Sequence, residues 1–459
     1  MKLTVMGGAG VRTPLLLAAL TRRQQAIDLE EVCLLDLDRR KLELMGPLCR
    51  YALEQTGGRY RLSWTSDSRQ ALSGSGAVIT TIRVGGEEGR ARDERIALDH
   101  GVLGQETTGA VGFSMALRSI PAVAGYARQM LEICPDAWLL NFTNPAGLVT
   151  QAISEEFPEL KVVGICDTPT SLWRAIAALY GRTASEIEVT VFGLNHLSWM
   201  PAACLDGTNL VPSLIADPGL QARIHQLALF EPGLLRLIGM LPNEYLYYYY
   251  YRDRALTNLL QAGESRGSQV HRLSTQLLDD LEAIDPAAHP EEARRRHARY
   301  LHDRHGTYMA AETGRAGREP ETPPETSSPG TDEGEGYAGV ALDIVAAAIS
   351  GHRTQVVANV PNAGAIAGLA ADDVVEISCE CDRAGIRPLP VEQTPPDSLL
   401  LMQQIKRYER LTVAANRARS RDLAVEALLN HPLVGSYPLA CSLVDALLSA
   451  HRPTLGEWM

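Results

Sequence analysis

Cys166 and His196 are the side chains whose types and spacing could hold a metal. The thiol closes the apolar run Val162–Ile165, and the imidazole follows the apolar run Val191–Leu194, with a helical stretch from Thr168 between them. Two strand ends thirty residues apart can meet at one rim of a sheet, and thiolate sulfur and imidazole nitrogen both ligate divalent transition metals. Taken alone, Cys166 reads more readily as a small buried hydrophobe and His196 as a satisfied core histidine. The elements that would have to position them decide between these readings.

Leu3–Met6 is an apolar strand running into Gly7-Gly8-Ala9-Gly10, and Thr13-Pro14 opens the following helix. Glycines between strand and helix let the backbone approach a pyrophosphate, and the helix N-terminus favours its charge. Thr13 stands where the third glycine of the dinucleotide fingerprint usually sits. The next strand ends in Asp36-Leu37-Asp38. An acid there suits the ribose hydroxyls of NAD and repels the extra phosphate of NADP; Asp36 could also cap the next helix, a task Asp38 fits as well. Gly8, Gly10 and Asp36 are therefore the candidate cofactor residues. Further strands at 61–65, 77–82 and 137–140 bring Arg83 and Asn144 to the same end of the sheet, where they could touch cofactor or substrate. The stretch from Gly85 to Pro121 is rich in Gly, Thr and Arg and reads as too irregular for a plain helix, hence as a functional loop.

These elements predict an α/β fold, a Rossmann-like doubly wound sheet over residues 1–200, followed by a mixed α+β, largely helical second lobe over 201–459. At 459 residues the chain exceeds the roughly 250–300 at which a single core stops growing. Residues 313–336 are acidic and of low complexity, which predicts a loop that buries little. In the second lobe, Tyr245 opens an aromatic run through Tyr251, most of whose rings are expected to pack.

A formal charge of −12 argues against a nucleic-acid partner. No run of 18 apolar residues suggests a membrane span. The start, with a glycine turn straight after the first apolar run, reads as a buried strand rather than a leader, and eight scattered cysteines read as reduced thiols, so the expectation is a cytoplasmic protein.

The order GGAG, DLD, TIRVGG, GQETTGAVGFSMALRSIP, NFTNP, CDTP, FGLNHLSW, NEYLYYY and NVPNAGAIAGLAADDVVE closely resembles the family-4 glycoside hydrolases, the NAD-dependent exception to two-carboxylate glycosidase chemistry, and among them the 6-phospho-β-glucosidases. The resemblance runs from residue 1 to about 440 and leaves the low-complexity insert uncovered. It implies NAD-dependent oxidation at C3 of a phosphorylated sugar, metal-assisted deprotonation at C2, elimination of the C1 substituent, addition of water and return of the hydride. It further implies Mn2+ or another divalent metal on Cys166 and His196, Tyr245 as the base, Asp167 as the proton donor and a substrate contact, and Arg83 and Asn144 against the substrate. A small glycoside is then the partner, and a homodimer or homotetramer the expected assembly.

The chain departs from the family pattern at three places. Asp167 follows the α- rather than the β-phosphoglucosidase pattern, Glu333-Gly334-Glu335-Gly336 stands where Arg-Gly-Gly is usual, and Arg12 occupies a turn position usually small or aromatic. An unphosphorylated or α-linked hexoside therefore stays open as substrate. From another class, a lactate/malate-type NAD dehydrogenase would share the Rossmann half but accumulate NADH, and a non-enzymatic NAD sensor would not need Cys166.

Overall fold

The computed structural model describes residues 1–314 and 336–459; the Glu333–Gly334–Glu335 departure and most of the low-complexity segment lie outside the described residues. Thirteen strands are described: β1 Lys2–Met6, β2 Glu31–Leu35, β3 Arg61–Thr65, β4 Ser75–Thr80, β5 Trp138–Asn141, β6 Lys161–Gly164, β7 Ile187–Leu194, β8 Leu197–Leu205, β9 Thr208–Asn209, β10 Leu241–Pro242, β11 Thr354–Pro361, β12 Val374–Asp382 and β13 Gly385–Pro388. Nine form one sheet in the order β13-β12-β11-β6-β5-β4-β1-β2-β3. The run β3-β2-β1-β4-β5-β6 is parallel throughout and has the doubly wound strand order 3-2-1-4-5-6. Inside the edge strand β3, these strands are short and largely apolar because helices cover both faces, so no polar alternation is needed.

Strands from the far end of the chain complete this sheet. β11 runs antiparallel to β6, with Asn359 opposite Gly164, and β12 and β13 follow it antiparallel. A second sheet of β10-β8-β7, with β9 on β8, lies against β12, where Ser378 Oγ accepts from Val191 N at 2.9 Å and donates to Val189 O at 2.8 Å. Cys166 and His196 thus belong to different sheets rather than to one rim. The reason is local: Leu194 pairs with Leu197, so the chain turns back within two residues and β7 takes β8, not β6, as its neighbour.

The segment after β4 also differs from the expected irregular loop. Gly86–Asp99 and Gly109–Ile133 are helices, and only 81–85 and 100–108 are irregular. Its glycines and charges concealed helical spacing: Glu88 pairs with Arg92, and Arg90 with Glu94, each four residues apart on one helix face. Asp38, not Asp36, caps the helix Arg39–Gln55, accepting from Lys41 N at 3.1 Å. All eight cysteines are unpaired, and among the described residues no helix is long and apolar enough to cross a membrane.

Candidate active site

The carboxyl ends of β1, β4, β5 and β6 open onto one crevice, where a doubly wound sheet binds its ligands. At the first of these ends Gly7 N and Gly8 N both donate to Leu35 O at 2.9 Å, drawing the turn onto β2. A Cβ on Gly8 would lie 2.6 Å from the Leu34 side chain and 2.7 Å from its backbone, so only glycine allows that approach. Gly10 N closes the turn on Gly7 O at 3.0 Å. The Asp36 carboxylate accepts from Ala9 N and Asp38 N, each at 3.1 Å, which joins the glycine turn to the end of β2. Glycine turn, helix N-terminus and acid therefore form one surface, as dinucleotide binding requires.

Cys166 lies two residues beyond β6 and is buried. Burial, followed by the negative charges of Glu376 and Asp167, pushes its thiol well above the ordinary value. Among the described residues the cation reaching Asp167 is Arg12, from the glycine turn, with Nη2 at 3.9 Å. His196 sits in the two-residue turn between β7 and β8 with φ of 61°, a left-handed conformation histidine tolerates better than most side chains. Its ring stacks face to face on Tyr245, with centroids 3.7 Å apart and an interplanar angle of 1°. Glu376 links the two strand ends: its Oε1 accepts from Asn195 in the His196 turn and from Asn359, which also donates to Gly164 O two residues before Cys166.

The imidazole is oriented by a chain of hydrogen bonds. Gln105 Oε1 accepts from Thr107 N at 2.7 Å, Thr108 N at 3.1 Å and Thr107 Oγ1 at 3.0 Å. With its single proton given to Gln105, the Thr107 hydroxyl accepts from His196 Nδ1, 2.6 Å away. Nε2 then carries the free lone pair that a metal ligand needs. Burial pushes the imidazole down to about 4, which keeps that lone pair available at neutral pH.

No group of three or more His, Cys, Asp or Glu side chains among the described residues converges as a ready-made metal site. The donor set nonetheless fits a divalent cation: the thiol and the oriented imidazole both feel the charge of Asp167, which a cation would offset. Two protein ligands would leave the remaining positions to substrate and water, as in catalytic rather than structural sites.

Tyr245 follows Asn243, whose Oδ1 accepts from Tyr245 N at 3.0 Å. Burial, then Glu244, raises the phenol well above its ordinary value, and a hydrogen bond from Tyr308 opposes the shift. Tyr308 Oη lies 3.1 Å from Tyr245 Oη and 2.8 Å from Glu244 Oε1. The other tyrosines of the run pack or bond elsewhere, Tyr248 with Glu312 and Tyr249 with Thr108.

Arg83 and Asn144 are drawn together by a residue the sequence reading did not single out. Glu106 accepts from Arg83 Nη2 at 2.6 Å, Arg90 Nη1 at 2.5 Å and Asn144 Nδ2 at 3.3 Å. Burial alone would raise its carboxyl, but the two guanidiniums outweigh that and hold it well below the usual range. Arg83 also pairs with Glu87 at 3.3 Å, so its charge is largely committed within the protein. Asn141, at the same sheet end, is fully buried, bridging Thr80 and Thr150. Thr107, Tyr308 and Glu376 were likewise not singled out. The available signal for Glu376 was a carboxylate inside the otherwise apolar run Val374–Ile377.

A doubly wound sheet with a nucleotide turn, and a stacked histidine–tyrosine pair held by its neighbouring strands, defines a nucleotide-dependent α/β enzyme. The chain belongs to the family 4 glycosyl hydrolases: the family's N-terminal description matches residues 2–181 and its C-terminal domain residues 191–434. It is 29% identical over 468 residues to a probable 6-phospho-beta-glucosidase of Bacillus subtilis, covering 100% of this chain and 98% of the relative. It is also 29% identical over 476 residues to the 6-phospho-beta-glucosidase of Escherichia coli, covering 100% and 97%. The fold overlays with a TM-score of 0.82 and 25% identity, across 99% of both chains, on the Thermotoga maritima 6-phospho-beta glucosidase solved with manganese, NAD+ and glucose-6-phosphate.

Proposed function

We propose that this enzyme is a 6-phospho-β-glucosidase that uses NAD and a divalent metal, manganese by preference. The observation carrying the reading is the stacked His196–Tyr245 pair, tied through Glu376 and Asn359 to the end of β6 before Cys166, supported by 6-phospho-β-glucosidase relatives over the full chain. When bound, the two groups supply a reversible hydride acceptor for C3 and Lewis-acid polarisation of the sugar oxygens on C2 and C3.

The chain's own residues do the rest. Gly8, Gly10 and Asp36 hold the dinucleotide, Asp36 toward the ribose. Cys166 and His196 hold the metal. Tyr245, packed flat against His196, takes the proton from C2; its ordinary pKa is about 10, and a nearby cation favours the phenolate that burial opposes. Asp167, at the same strand end as Cys166, donates the proton to the departing C1 oxygen and later takes one from the entering water. Asn144 and Arg83, braced by Glu106, flank the sugar, and Arg12 brings a cation across to Asp167. The unpaired cysteines support a cytoplasmic location, and the helical 209–310 region is the face on which a homodimer or homotetramer would form.

Matched nitrophenyl glycosides with and without a 6-phosphate, in both anomers, test the assignment. Turnover should require added NAD and Mn2+, favour the phosphorylated β-anomer and leave no net NADH. Preference for the unphosphorylated or α-linked sugar would replace the substrate; stoichiometric NADH would replace the reaction with a dehydrogenase.

A further inference from the structure

Cys166, His196 and Tyr245 come from three separate segments, and their geometry depends on a common reference point. That point is Glu376 on β12, only 1% exposed. Its Oε1 accepts from Asn195 Nδ2 at 3.0 Å, in the turn that carries His196, and from Asn359 Nδ2 at 3.5 Å. Its Oε2 accepts from Ser198 Oγ at 2.7 Å. Ser198 Oγ accepts from Asn243 Nδ2 at 3.1 Å, and Asn243 is the residue whose side chain receives Tyr245 N. Asn359 stands opposite Gly164 and donates to its carbonyl at 3.4 Å, two residues before Cys166.

The backbone is left bare where this network needs room. A Cβ on Gly164 would come within 2.8 Å of the Asn359 Cβ, and one on Gly147 within 2.8 Å of the Asn195 Cβ. The chemistry also requires an acid. Each partner presents hydrogen: two amide NH2 groups, and a hydroxyl that accepts from Asn243 and donates its one proton to Oε2. A carboxylate accepts on both oxygens. An amide at this position would turn an NH2 toward a donor and break one of the links.

We infer that Glu376 is a positioning residue that holds the His196 turn and the Tyr245 turn in register with the end of β6, and so sets both metal affinity and the placement of the base. This rests on the metal reading above, and the test separates the two. Mn2+ affinity is measured directly by titrating the protein and following free Mn2+ by electron paramagnetic resonance, with NAD affinity and thermal stability recorded in parallel. Wild type should bind Mn2+; a wild type that does not would overturn the metal reading and this inference together. Glu376→Gln should weaken Mn2+ binding about 10- to 100-fold and lower kcat, with NAD affinity unchanged. A Glu376→Gln protein that binds Mn2+ as wild type does would overturn this inference alone.

Two single-link variants carry the test if Glu376→Gln fails to fold. Asn195→Ala should weaken Mn2+ binding. Ser198→Ala should keep it, while lowering kcat and enlarging the isotope effect of deuterium at C2. Equal losses in both variants would reduce Glu376 to a general structural contact and overturn the inference.

Discussion

At the scale of the residue, the site depends on hydroxyls and carboxylates that fix where protons sit. Tyr308 has one proton to give and two acceptors, Tyr245 Oη and Glu244 Oε1. If it stabilises a Tyr245 phenolate, removing its hydroxyl costs about 1–2 kcal/mol in the deprotonation step. Tyr308→Phe should then lower kcat roughly tenfold with KM little changed and enlarge the C2-deuterium effect, measured by steady-state kinetics on labelled substrate. A fall in kcat with no change in the isotope effect would assign Tyr308 to packing.

A second residue gives a pH dependence of stability. His431 lines a small cavity with Thr107, His196 and Tyr249, and burial pushes its imidazole down to about 3. In the unfolded chain it binds a proton below about pH 6.5, whereas folded it stays neutral to about 3. The stability it confers is present above pH 6.5 and is lost as pH falls toward 3. In urea unfolding, the stability difference between wild type and His431→Gln should be constant above pH 7 and shrink steadily below 6.5.

At the scale of the element, the glycine turn and the β7–β8 hairpin are where backbone geometry commits the chain to its chemistry. Gly8→Ala drives a methyl into Leu34 at 2.6–2.7 Å, an overpacking that costs about 1–3 kcal/mol. It should also weaken NAD binding by displacing the turn from β2. Gly125, inside the helix Gly109–Ile133, has nothing within 4 Å of its would-be Cβ. Gly125→Ala should therefore stabilise by about 0.5–1 kcal/mol. Opposite signs for the two substitutions in urea unfolding are the expected result; two losses of similar size would show that the local packing has been misjudged.

At the scale of the whole molecule, the chain's end is tied into its nucleotide-binding half. Asp93, fully buried, accepts from Arg118 at 2.5 Å, from Ser114 at 2.8 Å and from His451 Nε2 at 2.6 Å. Two helices of the first half and the end of the last long helix thereby share one buried charge cluster. Removing one partner leaves the others buried and uncompensated, a loss of about 3–5 kcal/mol. Asp93→Ala should lower the unfolding free energy by that amount, in one transition seen alike by tryptophan fluorescence and far-ultraviolet circular dichroism. Two separated transitions would mean that the halves unfold independently. The strands of 354–388 on the outer edge of β6 point the same way, since a fragment ending at residue 200 would expose that edge.

The sequence by itself determined what local chemistry dictates. The glycine turn, the apolar parallel strands and the acid at Asp36 were legible because each announces itself within a few neighbours, whereas Cys166, His196 and Tyr245 stood out only through the family resemblance. Where charges and glycines obscured periodicity, as in Gly86–Asp99, local reading failed even for a helix. Only the tertiary structure decided that Cys166 and His196 come from different sheets, that Arg83 and Asn144 both turn to Glu106, and that Glu376, some 180 residues from Asn195, lies at the centre of the network. These are long-range hydrogen-bond and ion-pair partnerships. They depend on which buried donors meet which acceptors once the sheets close, and no spacing along the chain encodes that.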